Sequence, residues 1–298
     1  MIRDYLKKNV LITDGAMGTY YSEKTGEKVS YCELANTENP QIISEIHKEY
    51  IEAGAKLIRT NTFSANTITL AISRDELKKI ISSGYNIAKE AVGDKEVFIG
   101  ASIGPIHESV LKKDDELDIL DEYKFIVDTL MDLGEDIFIF ETFGTTDYLK
   151  EISEYIKEKN SDAFILTQFA VTLDGFTRKG ITISGIIEEI QSIKTIDAYG
   201  FNCGSGPTHL YRLLKKLDIF NDTISALPNA SYPELINERM VYVNNPDYFA
   251  NIVADIKELG AKIIGGCCGT TPSHIKSICE KLKLGKSKES EYIKVVEK

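Results

Sequence analysis

No apolar run in this 298-residue sequence approaches the roughly 20 residues needed to cross a bilayer, and the opening MIRDYLKKNV lacks the apolar core of a secretory signal. Positive charge is also scarce: 35 lysines and arginines face 46 acids, a formal net charge of -11. Such a field repels phosphate backbones and anionic lipid, so neither nucleic acid nor a membrane is an expected partner. A cytoplasmic protein with a small-molecule ligand fits better. The five cysteines are odd in number with two adjacent, which is no disulfide framework, and none form the C-x2-C spacing of a zinc finger. In a reducing compartment they are metal ligands, catalytic groups or buried core residues. The four histidines are few for a hydrolytic zinc site, which usually combines histidines with a carboxylate to activate water. No strand candidate runs into G-x-G-x-x-G, since Gly100 and Gly104 in GASIGP have the wrong spacing.

What the sequence does contain is a regular alternation. Eight β-branched or aromatic runs read as strands: Val10 to Thr13, Leu57 to Asn61, Val97 to Ser102, Ile137 to Glu141, Phe164 to Phe169, Ile196 to Asn202, Thr223 to Leu227 and Lys262 to Gly266. Amphipathic stretches separate them. PQIISEIHKEYIEAG and NPDYFANIVADIKELG each open on a proline suited to the first helical position and close on glycine, and Gly206-Pro207 and Thr271-Pro272 mark two further helix starts. With 43% hydrophobic residues and no composition break, this predicts an α/β fold, a single (β/α)8 TIM barrel over residues 1–286. Residues 287–298, alternating in charge without a core face, read as a C-terminal tail.

In such a barrel the loops after the strands build the active face. Strand one runs into Asp14-Gly15-Ala16-Met17-Gly18-Thr19, strand two into Asn61-Thr62-Phe63, strand four into Glu141-Thr142-Phe143, strand six into Asn202-Cys203-Gly204, and strand eight into Cys267-Cys268-Gly269. Polar and sulfur ligands therefore converge on one mouth. Adjacent residues on a regular strand face opposite ways, so Cys267 and Cys268 can share an ion only where the backbone leaves the pleat, which Gly265, Gly266 and Gly269 permit. Spacing alone is equally compatible with small buried core thiols. Cys32, in an early loop, and Cys279, inside the last helix, read as core residues away from the mouth. His47 and His209 fall in helix candidates as surface or packing residues, and His274 in the first turn of the last helix as a structural one. His107, in GPIHES, is either a mouth residue or a plain loop residue.

DGAMGT, NTF, ETF, GFNCGSGP, ALPNASYPE and IIGGCCGTTPSHI occur here in the order seen in the homocysteine S-methyltransferase family, and over nearly the whole chain the sequence resembles that family. With VYVNNPDYFA, it is most similar to the homocysteine domain fused in some proteins to methylenetetrahydrofolate reductase, or to the N-terminal domain of cobalamin-dependent methionine synthase. The resemblance implies that Cys203, Cys267 and Cys268 ligate Zn2+ and act through it, and that homocysteine is methylated to methionine. It also supports Asp14 and Glu141 in substrate binding. Glu141 closes the apolar run IFIF and suits the substrate ammonium, the alternative being a structural ion pair. Backbone N–H groups of the Gly15 to Thr19 loop, with Ala16 and Met17, suit its carboxylate. Asn61 and Asn202 are either pocket residues or supports just behind the pocket, and without the resemblance they would read as ordinary strand-end hydrogen-bonders.

The methyl donor stays open among small sulfonium compounds, betaine and a methylcorrinoid, and a corrinoid would arrive on a separate protein. The acceptor is homocysteine or a related thiol or selenol. Two other classes compete: a barrel hydrolase or decarboxylase that activates water, and a non-catalytic zinc-stabilised barrel acting as partner of a corrinoid protein.

Overall fold

The computed structural model describes residues 1–27, 30–106, 118–218, 221–236 and 239–283. His107 and the tail at 287–298 lie outside the described residues. Eight strands form one parallel sheet: β1 (Leu11–Ile12), β2 (Leu57–Arg59), β3 (Phe98–Ile103), β4 (Ile137–Phe143), β5 (Phe164–Phe169), β6 (Ala198–Asn202), β7 (Ile224–Leu227) and, after a hairpin, β10 (Ile263–Ile264). The hairpin strands β8 (Glu234–Ile236) and β9 (Arg239–Val241) pair only with each other. Each neighbouring pair runs parallel, in the order β1-β10-β7-β6-β5-β4-β3-β2. The two ends meet where Thr13 bridges Leu57, the Lys56 N–H donates to the Ile12 carbonyl (2.7 Å) and the Asp14 N–H to the Leu57 carbonyl (2.9 Å). The chain is therefore a (β/α)8 barrel, and all eight strands lie where the alternation placed them.

The period of two along each strand sorts residues between the barrel interior and the helix layer. Leu11, Leu57, Ile137, Ile139, Phe164, Leu166, Ala198, Leu227 and Ile263 pack together inside the barrel, and Ile2 and Leu6 of the opening helix (Ile2–Lys8) join them. That helix plugs the N-terminal end, where the Arg3 guanidinium donates to Asp197 and to the carbonyls of Asp162 and Ala163. Ile58, Ala101, Phe138, Phe140, Ile165, Tyr199, Phe201 and Ala226 face the other way, into the core shared with the helices. Continuing the interior rows one step past their apolar members gives Arg59 after Leu57, Glu141 after Ile139 and Asn202 two steps after Ala198. The upper barrel therefore carries a polar layer on an apolar base.

The helices begin as the prolines indicate: Pro40–Ala53 ends at Gly54 in the left-handed region (φ 108), and Pro207–Leu214 and Pro246–Glu258 follow the same logic at their starts. His47 lies on the Pro40–Ala53 helix, fully buried, with neither ring nitrogen hydrogen-bonded. Burial pushes its pKa down from 6.5 to about 4. Between those values the unfolded chain binds a proton that the native chain refuses, so this stability is present above pH 6.5 and is lost as pH falls towards 4. At about 1.4 kcal/mol per unit, the loss reaches about 3 kcal/mol at the acid end. Urea midpoints between pH 7 and 5 should fall more gently for His47→Leu than for the parent; parallel pH profiles would show that His47 carries none of the acid sensitivity.

Candidate active site

The loops after the strands enclose a cavity of about 840 Å3 at the C-terminal end of the barrel. That lies within the roughly 300–1,000 Å3 typical of small-molecule pockets. Asp14, Gly15, Ala16, Met17, Asn61, Glu141, Cys203, Cys267 and Cys268 all line it.

The cysteines meet because their backbones leave the strand geometry. Asn202 closes β6, and Cys203 follows with φ 56, a left-handed conformation that costs a non-glycine residue of the order of 1–3 kcal/mol. β10 ends at Ile264, well short of the Gly266 expected from sequence, and the chain then turns: the Cys267 N–H reaches the Pro228 carbonyl (2.9 Å), and the Thr270 N–H returns to the Cys267 carbonyl (3.1 Å). Gly265 is obligatory there, as a Cβ would stand 2.0 Å from the Thr13 hydroxyl. This turn lets two consecutive cysteines face Cys203. The three Sγ atoms lie within 4.8 Å of one another, with Cys203 and Cys268 3.8 Å apart. Among the described residues no other group of three metal-binding side chains gathers this closely. Hydrogen bonds from the neighbouring Cys267 and Cys268 thiols pull the Cys203 pKa down. The same coupling, with burial, pushes those of Cys267 and Cys268 up. Asn229, buried and hydrogen-bonded to Cys203, leaves its Oδ1 without a partner. Three soft sulfur donors gathered this closely suit a thiophilic metal ion, so Cys203, Cys267 and Cys268 can hold one between them.

The acids are not free. Arg59, 8% exposed, donates from Nε to Asp14 Oδ1 (2.7 Å) and from Nη1 to Glu141 Oε2 (2.7 Å), while its backbone N–H donates to Asp14 Oδ2 (2.8 Å). Its Nη2 donates to the carbonyls of Gly15 (2.6 Å) and Gly266 (3.0 Å). Burial pushes the Asp14 carboxyl up and the guanidinium opposes that push. Glu141 also accepts from the Ser102 hydroxyl at Oε1 and from Asn202 Nδ2 at Oε2 (3.2 Å). It sits at a register shift of β4 between Phe140 and Phe143, with Thr142 at φ 68 and the Thr142 N–H donating to Asn202 Oδ1 (2.8 Å). Such irregularities re-aim a side chain at a strand end. The ion pair weighed against ammonium binding is thus present.

Several expected residues take different places. Asn202 is fully buried behind the cavity wall, joining Glu141, Thr142 and Cys267. Asn61 lines the cavity, but its Nδ2 donates to the Cys32 carbonyl and Asn36 Oδ1. The Ala16 N–H is taken by the Thr270 hydroxyl (3.1 Å), which removes it from the anion donors. Met17 precedes the Gly18–Thr25 helix, whose first turn has no side-chain cap. Cys32 is buried yet lines the cavity, so it is not remote from the mouth, and burial pushes its thiol up to about 12. Cys279 is a core residue, packed under Gly54. His274 accepts from the Thr271 N–H at Nδ1 and stacks edge-on against Phe249; His209 pairs with the Tyr232 hydroxyl. Sequence reasoning missed Arg59, Asn229 and Tyr242. Tyr242 follows β9, lies over Gly269 and hydrogen-bonds Cys268, bringing the hairpin to the cavity rim.

The homocysteine methyltransferase MmuM from Escherichia coli, in its metallated form, shares the fold with a TM-score of 0.73 at 20% identity, over 93% of this chain and 98% of that one. Methionine synthases from Mycobacterium tuberculosis and Mycobacterium leprae are each 28% identical over 92% of this chain. The chain spans about a quarter of their length, 25% and 24% respectively. No described helix is long and apolar enough to cross a membrane. The homocysteine S-methyltransferase family model matches residues 11–282, nearly the whole barrel, and the chain belongs to that family.

Proposed function

We propose that this barrel is a zinc-dependent homocysteine S-methyltransferase, which moves a methyl group onto the homocysteine sulfur to give methionine. The observation that carries the reading is the placement of three cysteine thiols and a buried carboxylate on one cavity, in a chain of this family. When bound by Cys203, Cys267 and Cys268, zinc with three thiolates is a weak Lewis acid that lowers a thiol pKa yet leaves the sulfur electron-rich enough to attack a methyl group.

The chain's own residues orient the amino acid. Two carboxyl groups gather about one guanidinium at Asp14, Arg59 and Glu141, so acceptors outnumber cations there, which suits one ammonium. Glu141 already accepts three hydrogen bonds. A carboxylate has about four lone-pair sites, so about one is left for the substrate. The substrate carboxylate is assigned to backbone N–H groups at Gly18 and Thr19, where the uncapped start of the Gly18–Thr25 helix lines the cavity.

The donor is a small sulfonium or betaine-type molecule entering the same cavity, or a methylcorrinoid brought by a separate protein. Zinc-loaded protein incubated with homocysteine and each donor in turn should yield methionine by mass with at least one of them. Failure with every donor, with homocysteine still bound, would favour a non-catalytic barrel; turnover only of another thiol or selenol would reassign the acceptor.

A further inference from the structure

Arg59 stands in the middle of the site yet has no counterpart in the chemistry of methyl transfer. Its row explains how it gets there: Leu57 faces the barrel interior, Ile58 the helix layer, and Arg59 the interior again at the level of the cavity. A guanidinium has five N–H donors in a rigid plane. Four of Arg59's are used, and their four acceptors come from three places in the fold: Asp14 and Gly15 after β1, Glu141 on β4, and Gly266 after β10. Gly266 immediately precedes Cys267. One planar group therefore ties the carboxylate assigned to the substrate ammonium to the turn that carries two of the three thiols.

That wiring has a consequence for selectivity. An amino acid thiol must place its ammonium and its sulfur at two points of the site at once, so the spacing between those points decides which thiols fit. Ser102 and Asn202 also hold Glu141, and Asn202 Nδ2 makes a long contact to Cys267 Sγ (3.9 Å), but neither reaches the Asp14–Gly15 loop, so of these groups only the guanidinium joins all three segments. Lysine keeps the charge but is a point donor that cannot span the same acceptors in a plane.

We propose that Arg59 is a positioning residue that fixes the ammonium-binding carboxylate relative to the metal-binding turn, and so makes the site selective for thiols bearing an amino group at the homocysteine spacing. This rests on the reading of Glu141 as the ammonium partner. Calorimetry on zinc-loaded protein, comparing homocysteine with 4-mercaptobutanoate, the same molecule without its amino group, tests both claims. Arg59→Lys should retain about one zinc per chain while the preference for homocysteine falls by about tenfold or more, equivalent to about 1.4 kcal/mol. A charge-preserving pair, Asp14→Asn with Arg59→Met, should show the same collapse and supplies the comparison if Arg59→Lys folds poorly. Loss of affinity for both thiols in equal proportion, or a preference unchanged within about twofold, would overturn the proposal. Loss of zinc from both variants would overturn it too, because Arg59 would then belong to the metal scaffold. Glu141→Gln separates the two readings. If it also keeps the preference, the ammonium assignment is wrong; if it loses the preference while Arg59→Lys keeps it, only the role of Arg59 is.

Discussion

Cys203→Ser, Cys267→Ser and Cys268→Ser are each expected to drop zinc content from about one per chain to near zero and to abolish methyl transfer. Serine has nearly the shape of cysteine but stays a neutral hydroxyl at pH 7, so the change removes a thiolate without opening a cavity. Cys32→Ser and Cys279→Ser should keep the metal: Cys279 lies in the core, and Cys32, although it lines the cavity, is not part of the three-thiol group. That makes Cys32→Ser the sharper control. The metal-free variants should keep most of their secondary structure, because the cysteines join strand ends across a barrel whose closure rests on Thr13 and Leu57 rather than on the metal. Elemental analysis with far-UV circular dichroism checks both expectations, and full zinc retention in Cys203→Ser would remove Cys203 from the ligand set.

The second large effect is expected at Glu141. Glu141→Gln should weaken homocysteine binding by about 10- to 100-fold, the worth of a charge-assisted contact of about 1.5–3 kcal/mol, with zinc content nearly unchanged. Stability should fall too, by no more than about 1.5–3 kcal/mol, because Arg59 loses one charge-assisted contact but keeps its ion pair with Asp14. The readout must therefore be affinity in folded protein rather than activity in extracts. Equal homocysteine affinity in parent and variant would mean that the Glu141 carboxylate serves Arg59 and Ser102 alone.

Most of the barrel was legible because its signal is local. IFIF followed by Glu141 and the aromatic-containing run before Cys203 mark strands, and Pro40 and Pro246 mark helix starts that the backbone then uses. The first and last barrel strands were drawn too long, because Val10 and Gly265-Gly266 continue the apolar or small pattern while the backbone has already turned towards the site. The hairpin at Glu234–Ile236 and Arg239–Val241 was missed: it is an insertion between β7 and the next helix, and it breaks the βα rhythm on which the reading relied.

Within the site, single-residue chemistry was visible and partnership was not. Cys203, Cys267, Cys268 and Glu141 stood out as candidates by type and by position at strand ends, and for the cysteines only the family resemblance chose ligands over buried core thiols. The pairing of Glu141 and Asp14 through Arg59 did not, as it joins residues 82 and 45 positions apart in sequence. A signal existed: Arg59 is a charged residue on the interior row set by Leu57, and a buried guanidinium must find carboxylates. Asn202 takes the second of its two expected places, behind the wall of the mouth rather than in the pocket, since the turn at Cys203 carries the cysteine into the cavity and leaves the asparagine behind it.

The claim on which the rest depends is that homocysteine enters this site as a thiolate beside metal held by three cysteines. A free thiol with an ordinary pKa of about 8.5 is mostly protonated at pH 7, so binding in that form must release its proton. Calorimetric titration of zinc-loaded protein with homocysteine, in buffers of different ionisation enthalpy, counts that proton. About one released per site is expected at pH 7, and binding without proton release would contradict the three-sulfur mechanism.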